Sequence, residues 1–260
     1  VKSAILLAGL GAKNPSVVKE LKHSRNHSEI MLESMGANIV VDDNNITVNP
    51  LSSKLKSFNM DIPADPSSAA FFIALAALLK GSDLTVKNIL LNPTRTGFID
   101  VLGKMGVQGL VSNPMTNNGE SCGDIQFIGS NIKSCDVPAH MIPSIIDEIP
   151  ILAVIAAFAK GRTVFHQVEE LRFKESDRLD AIIQNLQSFG INAFEEKNNL
   201  IVDGGKPTKM AKILSYDDHR IAMAFIILSL VAFKEFDIDN TDCIDISLPG
   251  FFDILEEIQR

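Results

Sequence analysis

The sequence predicts an α/β (α+β) chain built from a repeated helix–strand–helix–strand–strand unit, and three observations carry that prediction. Four apolar helical segments each lead, through a glycine or a short polar turn, into a β-branched strand. Each strand is followed by a second helical segment, and three of those run into a glycine, at Met35-Gly36, Met105-Gly106 and Phe189-Gly190. Glycine just past the last turn is the usual helix stop. Pairs of short strands around polar turns then close the units. The period is roughly 65–80 residues, longer than the roughly 20–50 of solenoid repeats, so a few units wrapping their helices into a common core are expected.

Taken in order, the first unit has its apolar helix over 1–10, a strand over 16–21 and a second helix over 26–35. Its closing strands are 38–41 and 46–48, around the turn 42–45. The second unit has a helix over 67–79, a strand over 83–89 and a helix over 97–105. The third has a helix over 146–159, a strand over 163–168 and a helix over 175–189, with closing strands 193–195 and 200–202. The fourth has a helix over 218–233, a strand over 236–239 and a helix over 249–258. A lobe boundary is expected near Asp61-Ile62-Pro63, leaving 1–61 as the terminal part of a first lobe and 62–260 as a second lobe of three units.

The 260 residues suffice for two lobes with real cores. Net charge is −8, which argues against nucleic acid or an anionic membrane as a partner of the whole surface. The longest apolar runs, 69–79 and 149–159, have the length of core helices, short of a bilayer span. Cys122, Cys135 and Cys243 are scattered, odd in number and without CxxC spacing. That points to a reducing, cytoplasmic setting and to neither a zinc site nor a disulfide framework. Residues 1–10 read as the body of an amphipathic helix without its beginning, so the chain is expected to be a portion of a longer one.

Charge concentrates at the expected helix starts: Ser24-Arg25, Asp65-Pro66-Ser67, Thr94-Arg95, Asp147-Glu148, Lys174-Glu175-Ser176-Asp177-Arg178 and Asp217-Asp218-His219-Arg220. A helix N-terminus carries unpaired N–H groups and partial positive charge, a ready place for phosphate or carboxylate. If several starts face one cleft, Arg25, Lys174, Arg178 and Arg220 can hold a multiply anionic ligand, with Asp147 and Glu175 available for proton transfer. Each has a plainer reading. The decapeptide 170–179 can be a solvated helix start with Ser176 or Asp177 as its cap. Asp147 can be a helix cap, Arg220 can pair locally with Asp217 or Asp218, and Asp65 and Ser67 read as caps. His27, His140, His166 and His219 share no ligand spacing and read as polar surface or rim. Cys122 and Cys135 have no neighbouring cation or helix start to activate a thiol.

ELRFKESDRL at 170–179 resembles the most diagnostic motif of the 5-enolpyruvylshikimate-3-phosphate (EPSP) synthase family. VKSAILLAGL, SRNHSEIMLESMGA, DPSSAAFFIALAALLKG, IIDEIPILAVIAAFAKG, DDHRIAMAF and LPGFFDIL are similar to that family in order and spacing. The resemblance implies the enolpyruvyl transferase-like fold: repeated βαβαββ units arranged in two lobes, with buried parallel helices. It implies transfer of the enolpyruvyl group of phosphoenolpyruvate to the 5-hydroxyl of shikimate 3-phosphate, without metal or organic cofactor, in a protein that is monomeric when complete. On the matching positions it implies Asp147 as the base at that hydroxyl, and Lys174 and Glu175 as the pair moving a proton at the methylene carbon of phosphoenolpyruvate. Arg178 and Arg220, with Glu175, fall to phosphoenolpyruvate; Ser24 and Arg25, with Asp147 and Lys174, fall to shikimate 3-phosphate. Many family members carry a lysine where this chain has Asp245-Ile246-Ser247, which leaves one phosphate contact without its counterpart. The family also has further residues before the position of Val1 that complete both binding sites, so these 260 residues alone are expected to be inactive. Two alternatives stand beside this one: UDP-N-acetylglucosamine enolpyruvyl transferase, and a non-catalytic binding domain of the same fold.

Overall fold

The structure, a computed structural model, describes residues 1–21 and 24–258. The first unit consists of α1 (Lys2–Leu10), β1 (Ser16–Lys19), α2 (His27–Ser34), β2 (Ile39–Asp42) and β3 (Asn45–Val48). Its sheet has the order β1-β3-β2, antiparallel throughout. Leu6, Leu10, Leu32, Ala37, Ile39, Ile46 and Val48 form its small apolar cluster. Gly9 is required there, because a Cβ at that position would stand 2.4 Å from Val48 Cγ1.

The second unit repeats the plan with α3 (Pro66–Leu78), β4 (Asp83–Leu90), α4 (Gly97–Lys104), β5 (Gly109–Asn117) and β6 (Glu120–Ile128), in sheet order β4-β6-β5. The third begins with the short strand β7 (Asp136–Val137), a 3-10 turn (Ala139–Met141) and a short helix α5 (Ile142–Ile145). It continues with α6 (Ile149–Phe158), β8 (Gly161–Phe165), a 3-10 turn (Glu169–Phe173), α7 (Arg178–Ser188), β9 (Asn192–Glu196) and β10 (Asn199–Gly204). Its sheet order, β8-β10-β9 with β7 added in parallel outside β8, again places the last strand in the middle. Two hairpins turn through Asn118-Gly119 and Lys197-Asn198, both residues of each pair having positive φ. That conformation matches the twist of the flanking strands and suits asparagine and glycine. The fourth unit comprises β11 (Lys212–Ile213), α8 (His219–Phe233), β12 (Asp237–Ile238), α9 (Asp242–Ser247) and α10 (Phe251–Ile258), with β11 and β12 parallel.

The helices α3, α6 and α8 are apolar on every face and sit inside the larger core. A helix without a polar face has to be buried, and these three pack on one another beneath the sheets. Their N-terminal ends converge: the Ser67 hydroxyl of α3 donates to Glu148 at the start of α6, and Arg220 of α8 lies 3.9 Å from Glu148. No single helix among the described residues is long and apolar enough to cross a membrane.

Two expected helix starts are corrected. The helix expected over 146–159 begins at Ile149, where Pro150 occupies the first turn and suits a helix start. Residues 146–148 therefore form a turn, and Asp147 is no cap. The helix expected over 175–189 begins at Arg178, with Asp177 rather than Ser176 accepting from the Asp180 N–H at 3.0 Å. The strands β7 and β11 and the helices α5 and α9 are too short for a periodicity to reveal them.

The seam between β10 and α6 generates a prediction. A Cβ on Gly204 would stand 2.3 Å from the Ala156 carbonyl oxygen and 2.4 Å from that of Ala159, both rigid backbone. Gly204→Ala is expected to destabilise the protein by about 1–3 kcal/mol, read from urea unfolding. An unchanged midpoint would show that the helix and strand separate freely.

Candidate active site

The site is built where the N-terminal ends of the interior helices meet the first unit. Asp147, in the turn between α5 and α6, receives four cations from four different segments. Arg25, just before α2, places Nη2 2.5 Å from Oδ2. Arg178, the first residue of α7, places Nη1 3.3 Å from Oδ1. Lys174, which follows the second 3-10 turn, lies 3.7 Å from Oδ1, and Arg220 of α8 lies 3.8 Å from Oδ2 while donating to the Asp147 carbonyl at 3.2 Å. Burial alone would raise the Asp147 carboxyl, but the charges of Arg220, Lys174 and Arg25 outweigh it and hold the group down at about 2.

Arg178 has no exposed surface. Its Nε donates to Asp218 Oδ2 at 2.8 Å and its Nη2 to Glu175 Oε2 at 2.5 Å, so three carboxylates share one guanidinium. Asp218 is equally buried; it caps α8 by accepting from the Arg220 N–H at 2.9 Å, and Ser176 donates to it at 3.1 Å. Burial acts to raise the Asp218 carboxyl, yet the hydrogen bond and charge of Arg178 bring it below its ordinary value. Asp218 therefore claims the backbone of Arg220, while the Arg220 side chain leaves its local acidic neighbours and reaches Asp147.

A second buried chain of polar groups stands behind the first. Burial pushes the Glu148 carboxyl up, against the hydrogen bond from Ser67 and the charge of Arg220. Arg95 Nη2 donates to Ser67 Oγ at 2.9 Å and pairs with Asp65. Asp65 caps α3 as expected, accepting from the Ser68 N–H at 3.2 Å, whereas Ser67 serves Glu148 instead of capping. Sequence reasoning placed Glu148, Arg95 and Asp218 at helix starts but did not see the buried contacts they make. The only signal for Glu148 was its place beside Asp147.

A cleft of about 500 Å³ opens in front of Asp147, and Ser24, Arg25, Asp147 and Lys174 all lie on its wall with Lys2 and Glu170. Ser24 Oγ donates to Glu20, which pairs with Lys2 at 3.2 Å. Glu175 is half-exposed at the edge of the cluster, while Arg178 and Arg220 stand behind Asp147. The arrangement offers a cation-rich wall for an anionic ligand, one ionised carboxylate facing it, and the Lys174 amine on that wall, with Glu175, the next residue in the chain, paired to Arg178. The cysteines take no part: Cys122 and Cys243 are buried, and burial pushes the Cys135 thiol up to about 11. His27 pairs with Glu120 at 2.5 Å and His166 with Asp136 at 2.7 Å.

Comparison with known proteins gives consistent matches. The family model described as EPSP synthase (3-phosphoshikimate 1-carboxyvinyltransferase) matches residues 1–255. The chain is 46% identical over 258 residues to the 3-phosphoshikimate 1-carboxyvinyltransferase of Caldicellulosiruptor bescii, covering 98% of this chain and 60% of that protein. It is 43% identical over 263 residues to the protein of the same name from Thermodesulfovibrio yellowstonii, covering 100% and 61%. Among solved structures it resembles the EPSP synthase of Acinetobacter baumannii, with a TM-score of 0.92 at 35% identity over 99% of this chain and 59% of that one. The enolpyruvyl transferase NikO of Streptomyces tendae shares the fold, with a TM-score of 0.69 at 18% identity over 98% and 57%. The chain thus spans about 60% of the length of the curated relatives it matches.

The charge cluster generates two predictions. Asp218→Asn removes the fully buried partner of a fully buried guanidinium and is expected to cost about 3–5 kcal/mol in urea unfolding; a cost under about 1 kcal/mol would show that Asp147 and Glu175 suffice. Asp147 and Asp218 have folded values below those of the unfolded chain, so the stability they contribute is present above the unfolded carboxylate value of about 4 and is lost as pH falls through the folded values, about 2 for Asp147. Unfolding free energy measured between pH 5 and 2 should therefore fall less steeply in Asp147→Asn than in the wild type. Parallel curves would contradict the ionised, cation-held Asp147.

Proposed function

The chain belongs to the EPSP synthase (3-phosphoshikimate 1-carboxyvinyltransferase) family, and we propose that it carries the acid–base residues for transfer of an enolpyruvyl group from phosphoenolpyruvate to the 5-hydroxyl of shikimate 3-phosphate. One observation carries the reading: Ser24, Arg25, Asp147 and Lys174, assigned to the phosphorylated acceptor, share the wall of one cleft, with the phosphoenolpyruvate residues gathered behind Asp147. The names of the relatives favour shikimate 3-phosphate over UDP-N-acetylglucosamine as acceptor.

The reaction is an addition followed by an elimination. The 5-hydroxyl oxygen bonds to C2 of phosphoenolpyruvate as Asp147 takes its proton, and C3 is protonated from the Lys174–Glu175 pair. The resulting tetrahedral adduct loses phosphate by cleavage of the C2–O bond as a proton returns from C3 to that pair. Arg220 and Arg178 hold the phosphoenolpyruvate carboxylate, for which a planar guanidinium is suited. Arg178, buried against Asp218, reaches it on the Asp147 side, where Nη1 stands 3.3 Å from the Asp147 carboxylate, against 2.8 Å for Nε to Asp218 and 2.5 Å for Nη2 to Glu175. Ser24 and Arg25 take the acceptor's phosphate. Positioning and charge supply most of the rate. The lobe boundary falls at 61–62, with 1–61 closing a first lobe and 62–260 forming a second, a division supported by the two separate apolar clusters.

Phosphate release from shikimate 3-phosphate and phosphoenolpyruvate tests this reading. In the full-length enzyme, Asp147→Asn and Glu175→Gln are each expected to lower kcat by about 10²–10⁴-fold, with smaller changes in KM. The 260 residues alone are expected to show no turnover. Unchanged kcat in both variants would remove the assigned roles.

A further inference from the structure

Among the cations around Asp147, Arg25 is held differently from the rest. Arg178 is shared with Asp218 and Glu175, Arg220 lies 3.9 Å from Glu148, and Lys174 lies 4.0 Å from Glu170. Asp147 is the one ion-pair partner of Arg25 among the described residues. Arg25 is also the one of the four whose segment belongs to the first unit, and its side chain is 44% exposed on the cleft wall beside Ser24. Its contact, at 2.5 Å, is the shortest of the four and falls on Oδ2.

These facts place Arg25 in conflict with the proposed chemistry. A carboxylate oxygen that accepts a guanidinium N–H is a poor acceptor for a hydroxyl proton, since the charge that makes it basic is already neutralised. The same guanidinium is asked to hold the acceptor's phosphate, and it cannot point fully at both. A phosphate dianion beside Ser24 outcompetes a single carboxylate for a planar, five-donor cation.

We propose that Arg25 masks the Asp147 base until the acceptor's phosphate draws the guanidinium away, so that the phosphate group of the substrate serves turnover as well as affinity. The inference rests on the reading of Asp147 as proton acceptor and of Ser24 and Arg25 as the phosphate site. The other charged groups facing Asp147 stay in place when Arg25 leaves: Lys174 after the 3-10 turn, Arg178 from α7, Arg220 from α8 and Glu148 from its own turn. Asp147 thus regains part of its basicity while remaining ionised. Arg25 acts on it both by charge and by hydrogen bond, and both effects end together.

The test uses the full-length enzyme with phosphoenolpyruvate and two acceptors, shikimate 3-phosphate and unphosphorylated shikimate, in phosphate-free buffer. Arg25→Gln is expected to lower kcat/KM for the phosphorylated acceptor. The same variant is expected to turn over unphosphorylated shikimate about three- to tenfold faster than the wild type, the gain of a carboxylate freed from its closest cation. A residue that only bound phosphate would leave the shikimate rate unchanged, and an unchanged or lower rate overturns the inference. A second measurement needs no variant: phosphite added to the wild type with shikimate fills the phosphate site and is expected to raise kcat, and no rise in kcat also overturns it. If the wild type releases no phosphate from shikimate 3-phosphate, the functional reading above fails first. If it does, and neither shikimate effect is seen, only the masking role of Arg25 fails.

Discussion

The buried Arg178–Asp218 pair is the interaction on which the site depends. Arg178 opens α7, where the helix dipole opposes a cation, and it has no exposed surface to recover solvation. What keeps it there is the set of carboxylates around it: Asp218 from the start of α8, Asp147 from the turn before α6, and Glu175 from its own segment. Arg178 thereby ties α7 to the ends of two interior helices, to α8 through Asp218 and to α6 through Asp147. Arg220 repeats the theme, a cation in the first turn of α8 with its side chain directed at Asp147. Cations set at helix N-termini reinforce the local positive potential, and the protein's own carboxylates answer it.

The interior helices explain why these groups meet. Because α3, α6 and α8 are apolar all round, only their ends are free to carry charge, and the repeat brings those ends together. The Arg95–Ser67–Glu148 chain joins the start of α3 to the start of α6, and Arg220 adds α8. The first unit contributes only a small core of its own, yet it supplies Arg25, the shortest contact to Asp147, and Asn26 and His27, which bond to Asn92 and Glu120. The cleft therefore lies between two separately packed cores, with Asp147, Lys174 and Glu175 on the side of the larger one.

The repeat was legible in the sequence because its signals are local: apolar runs of helix length, glycine stops and polar turns. Three units do share one sheet order, which periodicity alone could not specify. The helix starts at Ile149 and Arg178 were not read correctly, because Pro150 and Asp177 set them against the apolar pattern. That error mattered for Asp147, which lies in a turn and is free of the capping role its position suggested. Charge clusters at helix starts correctly marked Arg25, Lys174, Arg178 and Arg220 as residues that could meet. What no local pattern contains is how they are shared, since the hold of Asp218 on Arg178 and of Ser67 on Glu148 exists only once distant segments pack.

The central claim is that Lys174 and Glu175 protonate the methylene carbon of phosphoenolpyruvate and deprotonate it again beside an ionised Asp147. The most direct measurement is turnover by the full-length enzyme in deuterium oxide, with the methylene hydrogens of product and of recovered phosphoenolpyruvate read by proton NMR. The account predicts deuterium in that methylene group, because the transient methyl group rotates before a proton is withdrawn. A product formed with its methylene hydrogens entirely unexchanged would contradict it.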